Sequence, residues 1–204
     1  MSHQKVSTSR FYGEYHGHRI KDLDVVYQSL RSNSEALIWT AGDSSLDNKY
    51  WFQDLRPAVD RYSRILDPPQ MNADVTYWIN YLCERDANRN HLAAINTAVE
   101  ATKINERTYK LRPQDIFLRD NLQPQDTLIV SIGGNDVALA PTPCTILSIL
   151  SLLKCMPLSC VESGKVCWSV PVNDCCCGCG QSLCSCACAF PPCLGYMYHL
   201  FKVR

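Results

Sequence analysis

Three short apolar runs constrain the fold of this 204-residue chain more than any other feature. The runs cover residues 35–40, 91–96 and 127–132, and each one ends in a loop of small or polar residues. Segments with helical patterning separate them. Apolar strands that alternate with helices are typical of a parallel sheet that is covered on both sides. The pattern therefore predicts an α/β fold with three layers.

Several helices are predicted between and after these strands. Asp74 is a good N-cap for a helix, and four apolar residues recur at helical spacing on one face of it: Val75, Trp78, Ile79 and Leu82. Pro113 suits the first turn of another helix, in which three residues are expected to face inward: Ile116, Phe117 and Leu122. An irregular helical stretch is predicted after Ser44, and a polar helix is predicted to run through Arg107.

Charge and hydropathy limit the classes of partner. The chain has 20 Lys and Arg residues and 20 Asp and Glu residues, so its formal net charge is zero. This balance argues against nucleic acid or an anionic membrane surface as the main partner. The N-terminus has no apolar signal segment, and no run of about eighteen apolar residues occurs. The sequence therefore predicts a cytoplasmic protein without a transmembrane segment.

The cysteines divide the chain into compositionally different parts. Twelve of the 13 cysteines lie between Cys144 and Cys193. A secreted protein stabilised by disulfides would spread its cysteines through the fold, so this clustering argues against that class of protein and sets the C-terminal segment apart. We therefore predict an N-terminal arm over 1–34 that packs partly on the domain, an α/β domain over 35–143, and a cysteine-rich insertion or tail over 144–204.

The loops that follow the three strands carry the residues suited to chemistry. In parallel sheets, ligands bind outside the carboxyl ends of the strands. Ser44 follows the first strand, and we expect it to attack a carbonyl carbon in an acyl transfer. Its own N–H, a backbone N–H of the second loop and the Asn135 side chain are expected to stabilise the oxyanion. The structural alternatives are a helix N-cap at Ser44 and a tight turn at residues 133–136.

Three sequence blocks in these loops resemble a known family. GDSSLDN, NTAVEAT and GGND resemble the first three blocks of the SGNH hydrolases, also called GDSL esterases/lipases. The resemblance covers roughly residues 35–143 and implies a three-layer, flavodoxin-like parallel sheet with helices on both faces. It also implies a small-molecule ester or lipid as the substrate and no cofactor.

The resemblance assigns roles to individual residues. It implies that Ser44 is the nucleophile, that Asn135 is an oxyanion-hole donor, and that Gly133 is the first glycine of the third block. Ala101 occupies the position of the second-block glycine. Only a backbone N–H is needed there, so alanine is tolerable provided that its φ is not positive.

The acid–base part of such a site is missing from the sequence. The family's last block, Asp-x-x-His, is absent, and a serine nucleophile needs a general base. His199 is the one histidine after the third block, and His91 begins the second strand at the wrong end of the sheet. No strand–helix–strand pattern follows residue 143. We therefore expect a sheet that is incomplete at its C-terminus, in a truncated hydrolase or in a non-catalytic relative.

Three interpretations of the cysteine-rich segment stay open. The first is a structural insertion beside the active site, and the second is S-palmitoylation that tethers the protein peripherally to a membrane. The third is a Zn or Cu(I) thiolate cluster, although the spacing matches ordinary zinc fingers poorly. A metal-binding or membrane-tethered module is then the alternative function, with these candidate ligands: Cys175, Cys177, Cys179, Cys184, Cys186 and Cys188.

Overall fold

The computed structural model describes residues 5–107 and 110–135. They form a mixed α/β fold with parallel strands and helices. The strands are β1 Val6–Ser7, β2 Ala36–Gly42, β3 Leu55–Pro57, β4 Leu66–Asp67, β5 Gln70–Asn72, β6 Leu92–Asn96 and β7 Thr127–Ser131. The helices are α1 Thr8–Gly13, α2 Ile20–Ser32, α3 Asp60–Ser63, α4 Val75–Arg85 and α5 Pro113–Asn121, and a 3₁₀ turn spans Asn105–Arg107.

The chain divides into two compact units. The first consists of Met1–Thr102 and Leu111–Ile132 and contains all the strands named above. The second consists of Lys103–Lys110 and Gly133–Arg204. The cysteine-rich segment expected at 144–204 lies outside the described residues.

The main sheet has three parallel strands in the order β6-β2-β7. Thr40 pairs with Asn96 on one side of β2, and Gly42 pairs with Ser131 on the other side. The three strands are those that the apolar runs predicted. Because β2 is central, the turn at Gly42 has the ends of β6 and β7 as neighbours.

The N-terminal segment contributes to the core of the first unit. Helix α2 buries Leu23, Val26, Tyr27 and Leu30, which is the spacing of one helix face. The buried Trp39 of β2 contacts the rings of Tyr27 and Phe117, with centroids 5.7 and 6.2 Å away. Residues up to 34, which the sequence set apart as an arm, therefore share one compact unit with the sheet.

Helix α4 packs against the edge of β6 that is not paired with β2, and the contact is made by the polar side chain of Asn80. Asp74 caps the helix as predicted, since its carboxylate accepts the Tyr77 amide at 2.8 Å. The Asn80 side chain donates to the Ala94 carbonyl at 3.0 Å and accepts the Ala94 amide at 2.8 Å. Asn80 thus replaces the hydrogen bonds that a further strand would make.

This contact changes which face of α4 is buried. The buried residues are Thr76, Tyr77, Asn80 and Cys83, not the apolar set found from helical spacing. Trp78 and Leu82 of that set are 40% and 61% exposed. Because Asn80 must reach the β6 edge, the helix is rotated away from the orientation that its apolar residues alone would favour.

The opposite strand, β7, is less covered than predicted. Leu128, Ile129 and Val130 are all exposed, Val130 by 60%. In the part of the chain that the structure describes, β7 is the edge of the sheet. No helix in this part has both the length and the hydrophobicity that a bilayer span requires.

Two stretches predicted to be helical are only partly so, and the first of them contains the short helix α3. After Ser44 the chain forms turns and then β3, which pairs with β5 in an antiparallel ladder. The Lys49 carbonyl in this segment accepts the Asn72 side chain at 2.7 Å, which ties the segment to β5 instead of a helical turn. The polar helix predicted through Arg107 is reduced to the 3₁₀ turn. In α5, Phe117 is buried as predicted, but Leu122 is exposed.

Candidate active site

The backbone makes a tight turn where β2 ends. Gly42 has a φ of +142°, a conformation that is accessible to glycine. The Asp43 amide donates to the Ser131 carbonyl oxygen at 3.0 Å. A Cβ at position 42 would lie 1.8 Å from this oxygen. Position 42 therefore requires glycine.

Ser44 lies in the turn that follows. The Asp43 carbonyl accepts the amides of Leu46 and Asp47 at 3.1 and 2.9 Å, and its carboxylate accepts the Ser45 amide at 2.9 Å. The next helix is α3, so the interpretation of Ser44 as a helix N-cap is wrong. Ser44 is partly exposed at the carboxyl end of the central strand.

The neighbouring serine has a different environment. The Ser45 hydroxyl oxygen lies 2.7 Å from the hydroxyl oxygen of Ser131. This contact holds the Ser45 side chain against the end of β7. Ser45 is adjacent, of the same type and more exposed than Ser44, so it is a matched control for chemistry at Ser44.

The second block is bonded directly to the first. The Thr97 amide and hydroxyl both donate to the Thr40 carbonyl, at 2.9 and 2.8 Å. The Val99 amide donates to the Gly42 carbonyl at 3.0 Å, and the Thr102 hydroxyl reaches the same oxygen at 3.4 Å. These bonds set the second-block loop beside the turn that carries the serine.

Ala101 lies between Val99 and Thr102 with a positive φ of +58°. Alanine was expected to replace glycine here without strain only if its φ was not positive, and its φ is positive. The left-handed conformation costs a residue with a Cβ about 1–2 kcal/mol. The loop has the backbone conformation that suits glycine, but alanine occupies it.

The third block belongs to the second compact unit. Gly133 follows Ile132 directly and has a φ of +119°, in the region that favours glycine. Asn135 is buried. The convergence of these two residues with Ser44 stays a prediction.

A buried ionic cluster links the first two blocks. The Lys49 ammonium lies 2.7 Å from the Asp47 carboxylate and 3.1 Å from the Glu100 carboxylate, and all three side chains have no solvent exposure. Glu100 also accepts the Gly17 amide at 2.6 Å. Asp47 accepts the Asn96 side chain at 2.9 Å. The cluster thus fastens the N-terminal segment, the first block and the second block together.

The cluster contains two carboxylates and one cation. Burial, together with a hydrogen bond to Glu100, raises the pKa of Asp47 well above its ordinary value. Perturbed carboxylates of this kind concentrate at functional sites, although structural ion pairs produce them too. Lys49 was missed by the sequence analysis because a lysine in a polar and aromatic segment is normally exposed. The signal available in the sequence was Glu100, because a lone charged residue in a loop of small residues indicates a buried charge with a partner.

The described histidines make no hydrogen bond to the serine. His18 is buried, and burial, followed by the charge of Lys49, lowers its pKa well below the ordinary value, which makes it a weak base. The His91 carbonyl accepts the Glu35 amide at 3.0 Å, which places His91 at the amino end of the sheet, as predicted. Within residues 5–107 and 110–135, no hydrogen bond joins a histidine to Ser44.

No metal centre is present within the described ranges, where no group of three or more His, Cys, Asp or Glu is arranged to hold an ion. The six candidate cysteine ligands of the tail lie outside those ranges. No family model, no curated protein and no solved structure matches this chain.

Proposed function

We propose that this chain is an SGNH-type serine hydrolase that cleaves the ester bond of a small molecule or a lipid. The observation that carries the proposal is the hydrogen bond from the Val99 amide to the Gly42 carbonyl. It sets the second-block loop beside the turn that carries Ser44. This junction lies at the carboxyl end of a central parallel strand, where such sheets bind ligands.

Each residue of the three blocks has a role in this proposal. Ser44 attacks the ester carbonyl and gives its proton to a base outside the described residues, the alcohol leaves, and water then releases the acid. The Ser44 amide, the Ala101 amide and the Asn135 side chain donate to the oxyanion. Loss of one such donor typically costs about 2.7–4 kcal/mol of transition-state stabilisation. Gly133 permits the turn that delivers Asn135. The three parallel strands are then part of a three-layer, flavodoxin-like sheet.

A non-catalytic relative of the same fold is the second candidate. Two observations favour it: the sequence contains no Asp-x-x-His block, and alanine occupies the left-handed position of the second block. Such a protein would retain the ligand-binding loops without activating the serine. The two candidates differ in the reactivity of one hydroxyl group, so one experiment separates them.

The test uses the full chain and an alkyl fluorophosphonate, which phosphonylates an activated serine with release of fluoride. Wild type, Ser44→Ala and Ser45→Ala are compared for labelling and for hydrolysis of p-nitrophenyl butyrate, after circular dichroism has shown that all three are folded. We expect labelling and hydrolysis in wild type and Ser45→Ala and their loss in Ser44→Ala.

The other outcomes decide against the enzyme or against Ser44 as its nucleophile. A folded wild type that is neither labelled nor active supports the non-catalytic relative. Equal labelling of wild type and Ser44→Ala shows that the reactive group is not Ser44. Loss of labelling in Ser45→Ala alone would show that the nucleophile is Ser45 and not Ser44.

A further inference from the structure

Four exposed aromatic side chains lie near the first block, and we call them the aromatic patch; three of them are in mutual ring contact, and the fourth follows Trp51 in the chain. They are Tyr15, Tyr50, Trp51 and Phe52, with exposed fractions of 41, 49, 55 and 43%. Single exposed apolar residues are normal on protein surfaces, but contiguous large ones mark a binding surface. The proposed ester chemistry makes no use of these side chains.

The patch is assembled from two segments that are distant in sequence. The Tyr15 ring contacts those of Tyr50 and Trp51, with centroids 5.1 and 6.1 Å apart. The buried ionic cluster holds both segments. Glu100 accepts the Gly17 amide from the first segment, and it pairs with Lys49 of the second. The rings are therefore held in place before any partner binds, which lowers the entropic cost of binding.

The size of the patch limits what can bind it. An aromatic side chain offers about 150–250 Å² in all, so four half-exposed ones offer roughly 300–500 Å². A stable protein–protein interface needs about 800 Å² from each partner. A second copy of this chain or another folded protein would therefore need a much larger surface than the patch supplies.

The geometry of the rings argues against a sugar. The pairs Tyr15–Tyr50, Tyr15–Trp51 and Tyr50–Trp51 meet at interplanar angles of 64, 75 and 84°. Rings arranged edge to face form no shared flat platform, so a pyranose ring could stack on one ring at a time. A hydrocarbon phase is indifferent to the orientation of the rings, and it requires only their exposed area.

Charges around the patch occur in compensated pairs. Glu14 pairs with Arg19, and Asp54 pairs with Arg56. Lys49 is fully buried between two carboxylates. These neighbours of the patch therefore add no net charge that would favour an anionic membrane, and the net charge of the whole chain is zero.

We propose that the aromatic patch docks the protein on a zwitterionic lipid surface. Trp51 and Phe52 enter the boundary between head groups and acyl chains, while the hydroxyl groups of Tyr15 and Tyr50 stay hydrated. Tryptophan and tyrosine favour this position because they combine an apolar ring with a polar group. The docking is independent of chemistry at Ser44 and of cysteine acylation.

Flotation of the full chain with phosphatidylcholine vesicles tests this proposal. The protein is made in bacteria, where palmitoylation does not occur. We expect wild type to float with the vesicles, and Trp51→Ala to lower the partition coefficient by at least about tenfold. Trp78→Ala is the matched control, because Trp78 is also exposed but lies in a different ring cluster on α4. Ser44→Ala must bind like wild type, which separates docking from catalysis.

Three outcomes would overturn the proposal. Wild type that stays at the bottom of the gradient shows that the patch does not dock on lipid. Equal losses in Trp51→Ala and Trp78→Ala show that the effect is not located in the patch. A dimer that sediments as such in wild type and dissociates in Trp51→Ala shows that a second copy covers the patch instead.

Discussion

The two ends of the main sheet both contain buried carboxyl groups, one at the amino end and two at the carboxyl end, and the two sites differ in how the charges are balanced. At the amino end, the Asp126 carboxylate accepts hydrogen bonds from both terminal nitrogens of the Arg31 guanidinium, the Leu37 amide and the Trp39 indole N–H. Although burial opposes ionisation, these donors hold the pKa of Asp126 at about 2. Both oxygens of Asp126 therefore have donors, and the carboxylate is stabilised in its ionised form.

At the carboxyl end, two carboxyl groups share one ammonium. Burial and Glu100 raise the pKa of Asp47. Although burial opposes it, the hydrogen bond with Asp47 and the charge of Lys49 lower the pKa of Glu100. The same end contains Ala101 in a left-handed conformation and Gly42 packed so closely that no Cβ fits. Strain and unfavourable charge concentrate where proteins bind ligands and catalyse reactions. The amino end therefore stabilises the fold, whereas strained backbone and a perturbed buried carboxyl group lower the stability of the end that carries Ser44.

The largest effect is expected from Gly42→Ala. Its Cβ would lie 1.8 Å from the Ser131 carbonyl oxygen, so the strand ends must separate or the chain must unfold. We expect a loss of more than about 4 kcal/mol in the free energy of unfolding, measured by urea denaturation. Gly13→Ala is the control, because a Cβ there meets nothing within 4 Å, and it should stay within about 0.5 kcal/mol of wild type. Equal effects of the two variants would contradict the packing described at Gly42.

Lys49→Met should be the next most damaging change. It leaves Asp47 and Glu100 buried without a cation, which costs about 3–5 kcal/mol at neutral pH. The loss should shrink as the pH falls toward about 4, where protonation removes the repulsion. The exposed Lys21→Met is the control. Recovery of stability in the double variant Lys49→Met/Glu100→Gln would locate the penalty in the buried carboxylates.

Asp126→Asn tests the amino end. It removes a charged acceptor and should cost about 1.5–3 kcal/mol at pH 7. Because the folded pKa of Asp126 is lowered to about 2, its stabilising contribution is present above about pH 4 and is lost as the pH falls through 2. Urea denaturation between pH 2 and 5 should show this loss in wild type and a flatter profile in the variant. An identical slope in both proteins would mean that Asp126 is not the group responsible.

Ala101→Gly should give the smallest effect, and it should stabilise the protein. Glycine relieves about 1–2 kcal/mol of left-handed strain but loses about 0.5–1 kcal/mol through the greater freedom of the unfolded chain. The net gain is then about 0.5–1 kcal/mol, measured by thermal and urea denaturation. Ala98→Gly is the control, because Ala98 is buried in the same loop without a positive φ, and it should destabilise. Destabilisation by both variants would remove the argument for strain at Ala101.

The strands and the ends of some helices followed from local sequence. The apolar runs located β2, β6 and β7, and Asp74 located the start of α4, because strand hydrophobicity and N-capping act over a few residues. The buried face of α4 did not follow. Its orientation depends on hydrogen bonds between Asn80 and Ala94, which join residues that helical periodicity treats separately.

The candidate site was predictable only in part. The Gly42 turn and Ser44 were found from the small and polar residues that follow an apolar run. The buried Lys49 was not found, because its two carboxylate partners lie in different blocks and only the fold brings them together. The positive φ of Ala101 was likewise hidden, since nothing in an alanine's identity indicates a left-handed backbone.

The most direct test of the central claim, that the strained end carries a reactive Ser44, is to locate the fluorophosphonate adduct by tandem mass spectrometry. The folded full chain is labelled, digested and sequenced across residues 43–49, which distinguishes the two adjacent serines. Our account predicts one phosphonyl group on Ser44 and an unmodified Ser45. An unlabelled peptide from folded protein, or an adduct on Ser45, would contradict it.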